Sequence, residues 1–190
     1  EFTFLHTSLM KKTYHILVKL TQKINFGVMF KNLINNVIQD FEPIHLFEMD
    51  RVKLMNRVDT KFAFSVKELL LFLPKLKEDY KILEIEGSKT PFYESLYFDE
   101  SEFTFFKDHH NGRTNRFKVR YRKYVESNLT FLEIKHKFKG RTHKSRIPVA
   151  HIPTTLSSEH AAYIESITKQ PYELVPAIWN SFHRITLVGR

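Results

Sequence analysis

Two stretches of this chain alternate between apolar and basic residues with a period of two, and they restrict its fold more than any other feature. In Arg116–Tyr124 the even positions are Arg116, Lys118, Arg120, Arg122 and Tyr124, and the odd ones are Phe117, Val119, Tyr121 and Lys123. In Leu129–Lys137 the odd positions include Phe131, Glu133, Lys135 and Lys137, with Leu132 and Ile134 opposite them. A strand sends alternate side chains to opposite faces, so each stretch reads as a strand with one apolar and one charged side. Glu126-Ser127-Asn128 supplies a turn between them, which makes the pair a hairpin. Paired that way, Lys118, Arg120, Arg122, Lys135 and Lys137 crowd onto one surface. Like charges facing one another destabilise a sheet, and Glu133 is one negative charge against five. Either a ligand of opposite sign completes the surface through charge-assisted hydrogen bonds, or the face is solvated.

The distribution of charge favours a ligand. From Lys107 to Arg146 thirteen Lys or Arg stand against three acids, a net of +10, so with +9 overall the remainder sums to −1. A solvated face usually mixes signs, whereas one wholly basic stretch points to an anionic partner at one place. The 190 residues are 42% hydrophobic, enough for one packed domain, and the absence of Cys excludes disulfides and thiolate metal sites. Near the N-terminus Ile16-Leu17-Val18 is the longest aliphatic run and Lys19 ends it. A secretory segment needs roughly 7–15 apolar residues and a membrane span about 20, so the expectation is a soluble, cytoplasmic domain. The first residue is Glu1, and Met10 and Met29 are alternative starts. Residues 1–28 are therefore expected to be an N-terminal extension to the native domain, and 29–190 the domain.

Other elements follow from periodicity. Apolar residues at 30, 33, 34, 37, 38 and 41 predict a helix over Phe30–Phe41, ended by Pro43. Arg57–Phe64 reads as a strand. Ser65 with Glu68 three residues on has the spacing of a capping box opening a helix that stops near Pro74. Tyr80–Ile85 and Tyr93–Phe98 read as strands, with Asp99-Glu100-Ser101 capping a short helix towards Phe106. His143–Pro148 predicts a third strand beside the hairpin, Leu156–Ile167 a helix opened by Ser157 or Ser158, and Phe182–Val188 a last strand.

The motifs Phe41-Glu42-Pro43-Ile44, Glu48-Met49-Asp50 and Leu54-Met55-Asn56-Arg57-Val58-Asp59-Thr60-Lys61-Phe62 resemble the opening of bacterial VTC (vacuolar transporter chaperone) domains. The resemblance continues through Ser95-Leu96-Tyr97-Phe98-Asp99, Asn115–Tyr124 and Leu132-Glu133-Ile134-Lys135-His136-Lys137, covering roughly 29–188. It implies an α+β fold of the triphosphate tunnel type: an antiparallel β-barrel lined by Arg, Lys and Glu, here an incomplete barrel with flanking helices. It also implies a polyphosphate polymerase that transfers the γ-phosphate of ATP to a growing chain with a divalent metal, Mn²⁺ or Mg²⁺. By that resemblance Lys61, Arg120, Arg122 and Lys135 are the catalytic candidates. Arg57, His109, Lys118, Lys137, Lys144, Arg146 and Arg184 are candidates for phosphate binding, and Glu133 is the metal candidate on the inferred face.

The tunnel family's second half would follow Val188, so the resemblance also predicts little or no polymerase activity from this polypeptide by itself. Partners implied are ATP, triphosphate and polyphosphate, with a membrane-protein partner left unspecified. A triphosphatase of the same superfamily would show Glu-x-Glu-x-Lys near its start, which Asn56–Lys61 lacks. A non-catalytic polyphosphate or nucleotide sensor remains the alternative. A nucleic-acid binder would set aromatics among the basic residues, whereas here the aromatics are expected mostly on the opposite face.

Overall fold

A computed structural model of the chain describes residues 2–8, 13–18, 32–49 and 59–190, with the backbone alone for 2–8, 13–18, 49, 59–62 and 64. The strands are β1 (Phe2–Ser8), β2 (Thr13–Val18), β3 (Pro43–His45), β4 (Asp59–Ser65), β5 (Tyr80–Glu84), β6 (Phe92–Asp99), β7 (Asn115–Tyr124), β8 (Leu129–Phe138), β9 (Arg141–Val149) and β10 (Val175–Gly189). The helices are α1 (32–38), α2 (Leu46–Met49), α3 (Val66–Phe72), α4 (Thr104–His110) and α5 (Ser158–Thr168), with a 3₁₀ turn at Leu73–Leu76. The chain forms two compact units, one of Glu1–Phe92 with Phe182–Arg190 and one of Tyr93–Ser181. Among the described residues no helix is long and apolar enough to cross a membrane.

In the first unit β1 pairs antiparallel with β4 and with β2, and β2 pairs with the C-terminal part of β10. That part of β10 also pairs with β5, which carries β3 in parallel. The antiparallel pairing expected from sequence holds for the other strand pairs, and β3–β5 adds one short parallel pairing that the sequence did not announce. Pro43 opens β3, a position where a missing N–H costs no ladder bond. Ile34, Ile38, Phe41, Val66, Leu69, Leu73, Ile82, Ile185 and Leu187 form the core, so α1 and α3 lie against the sheet with the apolar stripes their spacing predicts. The capping box is present: Ser65 Oγ accepts from the Glu68 N–H at 3.3 Å and Glu68 Oε2 from the Ser65 N–H at 2.6 Å. The start of the Phe30–Phe41 helix, residues 57–58 of the Arg57–Phe64 strand and the boundary expected at residue 28 lie outside the described residues.

In the second unit β6, β7, β8 and β9 pair antiparallel in chain order. The β7–β8 turn closes with Asn128 N–H donating to Val125 O at 3.1 Å, and Asn128 sits at φ 49°, a left-handed conformation Asn tolerates. β8 returns into β9 through Lys139-Gly140, both at positive φ (47° and 81°), the two-residue turn whose twist matches the strands it joins. Phe98, Phe105, Phe117, Val119, Tyr121, Leu132, Ile134, Ile164 and Leu174 are buried together, so one side of this sheet is covered by α4 and α5. Ser157 caps α5 by accepting from the His160 N–H at 3.2 Å. The helix expected after Asp99 starts later, at Thr104, and runs on to His110. Asp99 still caps it, its carboxylate accepting from the N–H groups of Phe105 (2.8 Å) and Phe106 (2.9 Å).

Two strands are longer than their apolar runs predict: β9 spans Arg141–Val149 and β10 begins at Val175. Each unit thus combines antiparallel strands with helices, and among the described residues β9 and β4 each pair on one side only. The fold is α+β, with antiparallel strands and flanking helices in each unit, as expected.

Candidate functional site

The side of the second unit's sheet away from α4 and α5 carries the charged residues, because register puts them in rows across the strands. One row aligns Tyr97, Arg120, Glu133 and Arg146 on β6, β7, β8 and β9. The next aligns Lys118, Lys135 and Lys144, and a third places Ser95 beside Arg122 and Phe131. Arg116 faces Lys137 one row further on. The alternation therefore does what it promised, bringing Lys118, Arg120, Arg122, Lys135 and Lys137 to one face, and β9 adds Lys144 and Arg146.

Glu133 is at the centre with its side chain fully buried. Its Oε2 accepts from Arg120 Nε (3.0 Å) and Nη2 (2.7 Å), while Oε1 accepts from the Tyr124 hydroxyl (2.9 Å) and pairs with Lys144 Nζ (2.5 Å). Arg120 is held at its other end too, Nη1 donating to the Tyr97 hydroxyl at 2.8 Å. Burial alone would raise the Glu133 carboxyl, but Arg120 and Lys144 outweigh it and hold it down at about 2. Arg122 donates from Nε to Ser95 Oγ at 2.9 Å. The Lys135 side chain makes no hydrogen bond or ion pair among the described residues. Burial, reinforced by Arg120, Arg122 and Lys144 and only partly opposed by Glu133, pulls its ammonium down to about 8. Burial, Arg120 and Arg146 also depress Lys144 in spite of Glu133. Among the described residues Glu133 is the carboxylate that these cations share.

The expectation about aromatics is corrected here. Tyr93, Tyr97, Tyr124 and Phe131 share the parity of the basic residues, although Tyr121 and Phe117 do lie opposite. Arginines stand over three of these rings, Arg122 over Tyr93 (5.7 Å), Arg120 over Tyr97 (5.6 Å) and Arg146 over Phe131 (4.5 Å). The rings spread and orient guanidinium groups instead of leaving their faces open to bases. Sequence reasoning missed the contribution of β6, although the alternation of Tyr93, Ser95 and Tyr97 carried the signal.

Other candidates are placed elsewhere. Lys61 lies in β4 of the first unit, opposite His6 in register, and Arg57 lies outside the described residues. Arg184 is in the first unit's part of β10, its N–H donating to Pro91 O at 3.0 Å. His109 is in the last turn of α4, which packs through Phe105 against Phe117 and Tyr172 on the far side of the sheet.

A divalent cation does not fit the residues described. No group of three or more His, Cys, Asp or Glu converges among them, and both oxygens of Glu133 are already engaged by cationic or hydroxyl donors.

A family model for the VTC domain matches residues 56–190, which is most of the chain and includes every strand of the basic face. The chain belongs to the VTC domain family. No curated protein and no solved structure matches it. In this VTC domain the match spans all the motifs of the Asn115–Lys137 hairpin and begins beyond β1 and β2. Membership points to a polyphosphate-related function.

Proposed function

We propose that this VTC domain binds an extended phosphate chain on the Arg120–Glu133–Lys144 face and acts as a polyphosphate polymerase in the cytoplasm, moving the γ-phosphate of ATP onto the chain end. The observation that supports this best is the register that sets seven Lys and Arg side chains of three neighbouring strands around one buried carboxylate. Phosphoryl transfer demands little covalent chemistry of a protein and much positioning and charge neutralisation. An oxygen of the terminal chain phosphate attacks the γ-phosphorus, the bond to the β-phosphate oxygen breaks, and ADP leaves. Arg122 and Lys135 hold the phosphates, Arg120 supplies a fixed positive charge beside them, and Lys118, Lys137 and Arg146 extend the track. Lys61 keeps the catalytic role, and Arg57, Arg184 and His109 the phosphate-binding roles, that the resemblance implies. The family implies Mn²⁺ or Mg²⁺, which the described residues do not themselves cage.

The engagement of Glu133 favours a second reading, a non-catalytic polyphosphate sensor, because that carboxylate organises cations and leaves no oxygen open. Incubating the chain with ATP and Mn²⁺ or Mg²⁺, alongside calorimetric titration with tripolyphosphate and single-stranded RNA, separates the readings. Polyphosphate synthesis supports the polymerase and overturns the expectation that this polypeptide by itself has little or no such activity, and tripolyphosphate binding without synthesis supports the sensor. Binding to RNA but not to tripolyphosphate would overturn both.

A further inference from the structure

The four donors to Glu133 are not equivalent. Arg120 is fixed from both ends, by two contacts to Oε2 and one to the Tyr97 hydroxyl, and is only 8% exposed. Lys144 comes from β9, which pairs on one side only among the described residues, and it touches Oε1 alone with a side chain 37% exposed. Oε1 has a second donor in the Tyr124 hydroxyl at 2.9 Å, so the departure of Lys144 would not strand a buried anionic oxygen. Lys144 also sits directly across from Lys135, in the row that continues to Lys118. A phosphate oxygen lodged there relieves the repulsion within that row, which Glu133 in the neighbouring row only partly offsets.

Resting on the phosphate-binding reading, we propose that Glu133 is the positioning residue of this face and Lys144 its exchangeable partner. Glu133 clamps Arg120 permanently but holds Lys144 only until a phosphate arrives, whereupon the Lys144 ammonium leaves Oε1 for a ligand oxygen and Tyr124 keeps Oε1 satisfied. Glu133 thereby stores a cation beside the ligand path while limiting repulsion in the empty face.

The sign of one substitution separates positioning from background charge. Glu133→Gln removes a negative charge from a cation-rich face, so a charge-only role tightens binding of tripolyphosphate. A positioning role weakens it, by about tenfold, the scale of one or two charge-assisted hydrogen bonds. Glu133→Asp, which keeps the charge and shortens the reach, is expected to weaken binding as well. Each variant is titrated by calorimetry after circular dichroism shows it folded.

Should both Glu133 variants fail to fold, Tyr124→Phe carries the test. It deletes only the second donor to Oε1, so leaving becomes costlier for Lys144 and tripolyphosphate binding falls about fivefold, a fraction of the worth of a hydrogen bond to a charged group. In a Lys144→Gln background the same change is expected to have no effect, since no ammonium is left to exchange; a merely structural tyrosine would give the same loss in both. Tighter binding by Glu133→Gln, or equal effects of Tyr124→Phe in the two backgrounds, overturns the exchange. No tripolyphosphate binding by the unmodified chain overturns the phosphate-binding reading itself.

Discussion

Lys135 has three cations around it and no hydrogen-bonded counter-ion among the described residues, and this gives the face a pH dependence of definite sign. Its ammonium loses its proton near 8 instead of the usual 10.5. Affinity for tripolyphosphate is therefore expected to fall as pH rises through about 8, and Lys135→Met to flatten the profile, which titrations between pH 7 and 9 check. Between 8 and 10.5 the unfolded chain binds more protons at this position than the folded one, so this group's contribution to stability rises with pH in that window.

Glu133 acts at the other end of the scale. Its carboxyl lies near 2 against an ordinary 4.5, so the stability it contributes is complete above 4.5 and is lost as pH falls towards 2. Glu133→Ala strands the buried Arg120 guanidinium, and urea unfolding at pH 7 is expected to show a loss of about 3–5 kcal/mol, the cost of breaking a buried pair from one side. Alternation and charge count made the cations of this face legible in the sequence. The use of Glu133 was not legible, because that depends on the register that sets it opposite Arg120 and beside Lys144, which alternation leaves open.

At the level of elements, local signals were read well where a side chain closes a local hydrogen bond. Ser65 with Glu68, Ser157 and Asp99 all cap the helices they were expected to cap, and the Arg116–Phe138 hairpin follows from period-two patterning. Asp99 reaches three N–H groups, those of Glu100, Phe105 and Phe106. Asp99→Ala is expected to cost about 1–2 kcal/mol by thermal or urea unfolding and to speed amide exchange in α4 before the rest of the unit. What escaped the sequence is non-local pairing. β3 lies parallel to β5 through three residues, and β1 and β2 enter between β4 and β10 with no sharp alternation to announce them. Deleting residues 1–18 leaves edges of β4 and β10 without partners; light scattering is expected to show association that the complete chain lacks.

For the whole molecule, one short region carries the positive charge and the remainder is close to neutral, so binding of any polyanion is expected to weaken steeply with added salt. A series of tripolyphosphate titrations from low to moderate ionic strength checks this. The same asymmetry bears on β9, which pairs on one side only among the described residues and carries Arg141, Lys144 and Arg146 along its length. Charges on a free strand edge keep other strands away. A long phosphate chain that neutralises them turns a repelling margin into an adhesive one. Solutions of the protein should then be clear alone, cloudy near charge equivalence with polyphosphate, and clear again once the chain is in excess and recharges the edge with the opposite sign.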